Sequence, residues 1–161
     1  MDKYPRFLFC GMDTKSHYVV ATCIVKKDGK YLIAKRSDKE KAFPGLWTVP
    51  GGKIETTDYT HLPKTTSSHW YNVVERSLRR EVKEETGLDI GALDFVCDLF
   101  FIRPDGVPTM ILSYASEYSG GDLTPNDELV EFAWVSLDEA KKYSLIEGIY
   151  EELEWVEKRK K

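Results

Sequence analysis

Cysteine is scarce in this 161-residue chain: Cys10, Cys23 and Cys97 are odd in number, widely spaced and form no C-x-x-C pair. That excludes a disulfide framework and argues against a zinc or dithiol site, and it fits a reducing cytoplasm. Cys23 sits in an apolar run, where a thiol behaves as a small hydrophobe. Long apolar runs are missing too. Nothing approaches the roughly 20 residues that span a bilayer, and Phe7-Leu8-Phe9 falls short of the about 7–15-residue core of a signal peptide. No membrane partner is expected. Positive charge is not in excess: 23 Lys and Arg face 27 Asp and Glu, for a net charge of −4. A chain of that balance has no broad basic surface for nucleic-acid backbones, so nucleic acid is not an expected partner. No repeat or low-complexity tract occurs. What is present, a 42% hydrophobic fraction, can fill one core, and the length suits a single domain near the common size of roughly 100–150 residues. A monomer or homodimer is expected.

Residues 1–17 read as an N-terminal arm, within which Phe7-Leu8-Phe9 could add a short strand, and residues 18–161 as one domain. The β-branched run at 18–26 and its partner at 31–36 flank Asp28-Gly29, a two-residue hairpin signal. Gly and Pro punctuate 43–52, and the Thr-, Ser- and His-rich stretch at about 56–69 has no periodicity, so it reads as a loop. A helix is predicted over 71–86, stopped by Gly87. Strands at 93–103 and 109–118 flank the Pro104-Asp105-Gly106 turn. A last strand at 132–135 precedes helices at 137–142 and 146–158. Strands interspersed with helices place the chain in the α/β class, as a sandwich.

The informative segment is Arg80-Glu81-Val82-Lys83-Glu84-Glu85-Thr86-Gly87-Leu88. On a helical wheel Val74, Leu78 and Val82 form one apolar stripe, and Glu81 and Glu85 fall within or beside it. Carboxylates held together repel and raise one another's pKa unless cations compensate. Such a set of oxygen donors suits Mg²⁺ or Mn²⁺, which favour carboxylates together with substrate phosphates. The alternative is a solvated helix face whose glutamates pair with Arg76, Arg80 or Lys83.

Upstream stand Trp47 and Pro50-Gly51-Gly52-Lys53-Ile54-Glu55. Together with the glutamate segment, this resembles the signature of the Nudix hydrolase family, whose box reads Gly, five residues, Glu, seven residues, then Arg-Glu-aliphatic-x-Glu-Glu-x-Gly-aliphatic. The second half matches at every fixed position from Arg80 to Leu88. Measured back from Arg80, Gly52 lies 14 positions too early, and Asn72 falls where the first Glu belongs. A 14-residue insertion within the loop at about 56–69 accounts for the offset, and Asn72, a good N-cap residue, is expected to cap the helix with its amide. The resemblance runs from Val19 to about Val135 and implies an α/β/α sandwich around a mixed sheet.

It also implies a function: water, with Mg²⁺ or Mn²⁺, attacks the diphosphate of a nucleotide substrate. The run Phe43-Pro44-Gly45-Leu46-Trp47-Thr48-Val49-Pro50-Gly51-Gly52-Lys53 is similar to the MutT-like branch. A nucleoside triphosphate, with oxidised or modified nucleotides among the candidates, is the leading substrate, yielding monophosphate and pyrophosphate. An ADP-ribose or nucleotide-sugar pyrophosphatase is the alternative, and a non-catalytic nucleotide sensor the second. By resemblance, Glu84 and Glu85 are metal ligands, joined by the Gly51 carbonyl, and Glu81 is either a ligand or the residue that polarises water. Arg80 orients the glutamates. Glu128, with Glu131 as second choice, would supply a further acid from a loop outside the box. Arg36 and Lys53 are candidates for phosphate contact. Phe43, Trp47, Trp70 and Tyr71 could stack on a base, although Trp47 equally suits core packing.

Overall fold

The computed structural model describes residues 13–159, so Phe7-Leu8-Phe9 and Cys10 lie outside the described residues. In chain order the elements are β1 (Tyr18–Lys27), β2 (Lys30–Arg36), β3 (Trp47–Thr48), β4 (Gly51–Lys53), α1 (Val73–Thr86), β5 (Leu88–Ile90), β6 (Asp94–Ile102), β7 (Pro108–Gly121), β8 (Leu129–Val135), α2 (Leu137–Ala140) and α3 (Ile149–Arg159). Asp28 and Gly29 both adopt positive φ, 49° and 75°, as a two-residue turn matching the strand twist requires.

Strand β7 is the spine of the sheet. It runs parallel to β1, from the Tyr18–Thr109 pair to Lys26–Glu117, and antiparallel to β6 and β5. On the other side β2 carries β8 and the two-residue β3, and β4 lies antiparallel on β1. The sheet is therefore mixed, as expected.

Alternation along β1 and β2 sends side chains to both faces. Ala21, Cys23, Val25 and Leu32 pack beneath Leu78 and Val82 of α1. Ile24 and Ile33 face Ile149, Leu153 and Val156 of α3 across the opposite side. Leu78 and Leu153 are fully buried, each stabilising the fold by roughly 1.5–3 kcal/mol. The sheet is thus covered by α1 on one face and by α2 and α3 on the other, the expected α/β/α sandwich.

The predicted stop of α1 is observed: Gly87 has φ 80° and donates its N–H to Lys83 at 2.9 Å. The start differs in kind. Asn72 holds the N-cap position, but with a left-handed φ of 59° and no side-chain capping bond, so its amide does not cap the helix. At the other end of the chain, Arg159 donates to the carbonyls of Phe95 and Val96 at 2.6 and 2.7 Å, pinning the end of α3 to β6.

Glu152, on the buried face of α3, accepts a 2.5 Å hydrogen bond from Ser113 Oγ on β7. Burial raises its pKa, the Ser113 bond opposes the shift, and Glu151 adds to it. Folding therefore favours the protonated acid. Its contribution is complete below the ordinary value of 4.5 and is lost as pH rises through the higher folded value. Replacing Glu152 by Gln keeps the shape without the proton. The melting-temperature advantage of the native chain over Glu152→Gln should shrink steadily as pH is raised from 4.5 towards neutrality. Parallel melting curves for the two proteins test this, and a difference independent of pH would contradict it.

Candidate active site

The carboxylates of α1 come down onto two glycines of β4. Gly51 donates its N–H to Glu85 Oε2 at 2.8 Å. A Cβ on Gly52 would lie 2.4 Å from the carboxyl carbon of Glu81, and a Cβ on Gly51 only 2.2 Å from the Ala21 carbonyl oxygen. The two glycines thus serve different ends. Gly51 lets β4 press against β1, whereas Gly52 leaves room for Glu81.

The site resists negative charge. Glu85 is only 9% exposed. Burial is the main cause that pushes its pKa up to about 8; the Gly51 N–H opposes it, Glu81 and Glu128 add to it, and Arg36 counteracts. Glu81 is also raised by burial, against the pull of Arg80. Glu84 is more open and points outward.

Arg80 is the local counter-charge. Its guanidinium reaches Asp58 at 2.9 Å, Glu81 at 2.8 Å and Glu84 at 2.9 Å. This corrects the expectation for Asn72. Asp58 follows Gly52 by six positions, the box spacing, and it is Asp58, not Asn72, that pairs with the box arginine. Thr56–Asp58 form a 3-10 turn in which Asp58 Oδ2 accepts the Glu55 N–H at 2.7 Å. The stretch that departs from the box spacing therefore begins after Asp58, at residues 59–72.

That stretch packs on itself. Trp70 donates to the Leu62 carbonyl at 2.9 Å and stacks obliquely on Tyr59 at 5.2 Å, with Lys64 over its ring. His61 and His69 bond locally to Thr57 and Thr66. Trp70 is thus engaged by residues of the insertion itself. Trp47 is half-buried: it meets Tyr143 edge-on at 4.8 Å and packs against the cluster beneath α3.

Other candidates divide. Arg36 donates to the Ala42 carbonyl and to Glu40, both at 2.8 Å, so it ties down the 37–46 loop while its charge still acts on Glu85. Phe43, at a positive φ of 53°, packs towards Phe101 with centroids 6.5 Å apart. Lys53 is exposed, its ammonium 5.5 Å from the Tyr18 ring. Glu131 is paired with Lys35 at 3.0 Å across β8 and β2. Glu128 is exposed, and its charge is felt by Glu85.

Two features escaped sequence reasoning. Asn126 donates its amide to the carbonyls of Glu84 and Glu85 at 3.2 and 3.1 Å. The Tyr18 ring, 46% exposed, is flanked by Lys53 and by Arg103, whose guanidinium carbon stands 5.7 Å away. The Gly52-x5-Asp58 spacing was the only signal of the Asp58–Arg80 pair in the sequence. Nothing local announced the other two.

Among the described residues, no three His, Cys, Asp or Glu side chains are clustered so as to hold a metal ion; Glu81 and Glu84 are bonded to Arg80. The donor chemistry nevertheless fits a hard divalent cation. Carboxylate oxygens of Glu81 and Glu85 meet the half-buried Gly51-Gly52 backbone, and Glu85 is burdened by burial and by two like charges.

A family profile described as NUDIX domain matches residues 15–156. The chain is 29% identical over 132 residues to the nucleoside triphosphatase NudI of Salmonella agona (strain SL483), covering 76% of this chain and 84% of that protein. Its fold superposes on a MutT NUDIX hydrolase from Burkholderia pseudomallei with TM-score 0.69 and 25% identity, covering 88% and 99% of the two chains. It also matches the NUDIX domain of Shewanella oneidensis NrtR, solved as a complex with ADP ribose, with TM-score 0.70 and 18% identity over 96% and 97%.

The two glycines make separable predictions. Gly51→Ala forces a methyl into the backbone of β1 and should destabilise the fold by on the order of 1–3 kcal/mol, the range for overpacking. Gly52→Ala meets only the end of a flexible side chain. It should cost less than about 1 kcal/mol, the scale of the exposed ion pair it disturbs, yet cut any turnover that needs Glu81 by about 100-fold, as misplacement by an ångström can. Denaturant titrations beside activity assays of both variants distinguish the two effects.

Proposed function

The chain belongs to the Nudix family, and on that footing we propose that it is a Mg²⁺- or Mn²⁺-dependent pyrophosphohydrolase that cleaves a nucleoside triphosphate to monophosphate and pyrophosphate. One observation carries the reading: all three box glutamates are retained, and two of them converge on the Gly51-Gly52 strand, where burial resists their charge. A nucleotide sensor without catalysis has no need to hold Glu85 in so unfavourable a place.

Glu84 and Glu85 would hold the cation, with Glu81 and the Gly51 carbonyl as further donors. The bound cation supplies screening of the diphosphate charge and a water of lowered pKa. Arg80 keeps Glu81 and Glu84 oriented through its paired bonds. Glu128 is the candidate base, since its carboxylate is exposed beside Glu85 and free of the ion pair that engages Glu131. For the nucleoside, Phe43 with Phe101, and Tyr18 with Lys53 and Arg103, offer an aromatic and cationic surface. Base–aromatic stacking contributes roughly 1–3 kcal/mol per base with little discrimination between bases.

The similarity to a nucleoside triphosphatase supports the triphosphate, and the ADP-ribose complex of a structural relative supports the alternative of ADP-ribose or a nucleotide sugar. No helix among the described residues is long and apolar enough to cross a membrane. The thiols of Cys23 and Cys97 are free, with burial pushing their pKa values up to about 12 and about 11. Both features suit the cytoplasm we assign to the protein.

Chelation should abolish hydrolysis, and Mg²⁺ or Mn²⁺ should restore it. Glu84→Gln or Glu85→Gln should each lower kcat by about 100-fold or more, the scale at which one electrostatic catalytic group is felt; full turnover in chelator would remove the metal-dependent reading. In a panel with Mg²⁺, kcat/KM should be higher for nucleoside triphosphates than for ADP-ribose, with products identified by chromatography. ADP-ribose or a nucleotide sugar ahead of every triphosphate by tenfold, about 1.4 kcal/mol, would reverse the substrate assignment and leave the metal site standing.

A further inference from the structure

A helix leaves its last four carbonyls without intrahelical partners. In α1 every one of them is satisfied, and three are satisfied from outside the helix region. The Lys83 carbonyl takes the Gly87 N–H at 2.9 Å, and the Thr86 carbonyl takes the Thr124 N–H at 3.0 Å. Those of Glu84 and Glu85 share the side-chain amide of Asn126. Gly87 and Gly121 permit this closeness. A Cβ on Gly87 would sit 2.3 Å from the Asp122 carbonyl oxygen, and one on Gly121 2.3 Å from that of Gly87.

The other end of the Asn126 side chain faces the acidic loop. Its Oδ1 accepts the N–H groups of Glu128 at 2.9 Å and Leu129 at 2.8 Å. Donor meets acceptor at both ends, and reversing the amide would set oxygen against carbonyls and NH₂ against N–H groups. The Glu128 backbone is held from its far side as well, since its carbonyl accepts the Ser37 N–H at 2.8 Å, just beyond β2. One side chain therefore ties the residues bearing Glu84 and Glu85 to the residue bearing Glu128. The free carboxylate at the end of this brace has its backbone fixed on both sides.

We propose that Asn126 is a positioning residue that holds Glu128 in register with the Glu84–Glu85 end of α1, so that helix and acidic loop act as one rigid part of the reaction centre. This rests on the reading of the protein as a Nudix hydrolase in which Glu128 takes part in the chemistry. An alanine at 126 loses both halves of the brace. An aspartate keeps the acceptor for the Glu128 and Leu129 N–H groups, and with it the loop's own turn, but cannot donate to the helix carbonyls.

The test is a double-mutant cycle on the full chain, with kcat and KM measured for a nucleoside triphosphate under saturating Mg²⁺. Asn126→Ala and Asn126→Asp should each lower kcat about 10–100-fold and change KM less than about threefold, the signature of an interaction made in the transition state. Glu128→Gln should lower kcat on its own. Adding Asn126→Ala to Glu128→Gln should then cost little more, because the brace has nothing left to position. Amide hydrogen exchange gives a second readout: the Glu128 and Leu129 N–H groups should lose protection in Asn126→Ala. Should the alanine variant fail to fold, the aspartate variant carries the cycle. Wild-type kcat in a folded Asn126 variant, or fold-losses that multiply independently with Glu128→Gln, would overturn the inference in an enzyme that remains active. A native protein inert towards every nucleotide would overturn the functional reading and this inference with it.

Discussion

A single guanidinium stands among three carboxylates. Arg80 reaches Asp58, Glu81 and Glu84 within 2.9 Å, and its side chain is 42% exposed. Pairs so open to water contribute about 0–1 kcal/mol each, so the cluster is not a major source of stability. Its effect is directional. Bonded on three sides, Arg80 orients Glu81 above Gly52 and Glu84 on the outer flank. Glu85 is excluded from this arrangement. It lies deeper, and its polar partner is the Gly51 N–H. The buried acid is therefore the one that holds its proton most tightly, and a cation that displaced that proton would have to make its charge favourable there.

Bringing helix carboxylates onto a strand needs a strand without side chains at the point of contact. Strand β4 meets that requirement with Gly52, while Gly51 lets it lie close against β1, whose own inner residues pack against Leu78 and Val82 of the same helix. The apolar stripe of α1 and its acidic edge are thus set by one rotation of the helix about its axis. Burying Leu78 and Val82 aims Glu81 and Glu85.

Most of this was legible wherever the information is local. The hairpin at Asp28-Gly29, the stop at Gly87 and the stripe through Val74, Leu78 and Val82 follow from backbone preference and helical period, and the structure shows each. The box glutamates could be found because their spacing is fixed by that same helix. What was not legible depends on chain segments meeting at a distance. Counting back from Arg80 crosses the insertion and lands on Asn72; counting forward from Gly52 stays on the near side and lands on Asp58, the residue the structure pairs with Arg80. Loop composition likewise does not reveal that the insertion closes on its own aromatics, Trp70 on Tyr59. The partners of Arg36, Glu40 and the Ala42 carbonyl, were not legible because they become its neighbours only when the 37–46 loop folds back. Asn126 had no signal at all, since an amide bridging two elements leaves no spacing rule in either.

The parallel pairing at the middle of the sheet also governs how the molecule is made. Tyr18 is matched to Thr109 and Lys26 to Glu117, so the central ladder joins residues 91 positions apart in sequence (109 − 18 = 91). Contacts of such long sequence separation are entropically late and slow folding. The β1–β2 hairpin is a unit marginal in water by itself, and its Ala21, Cys23 and Val25 are covered by α1. The helix that carries the acidic residues is thus also the first element able to shield the growing sheet, while the opposite face waits for the last helix of the chain.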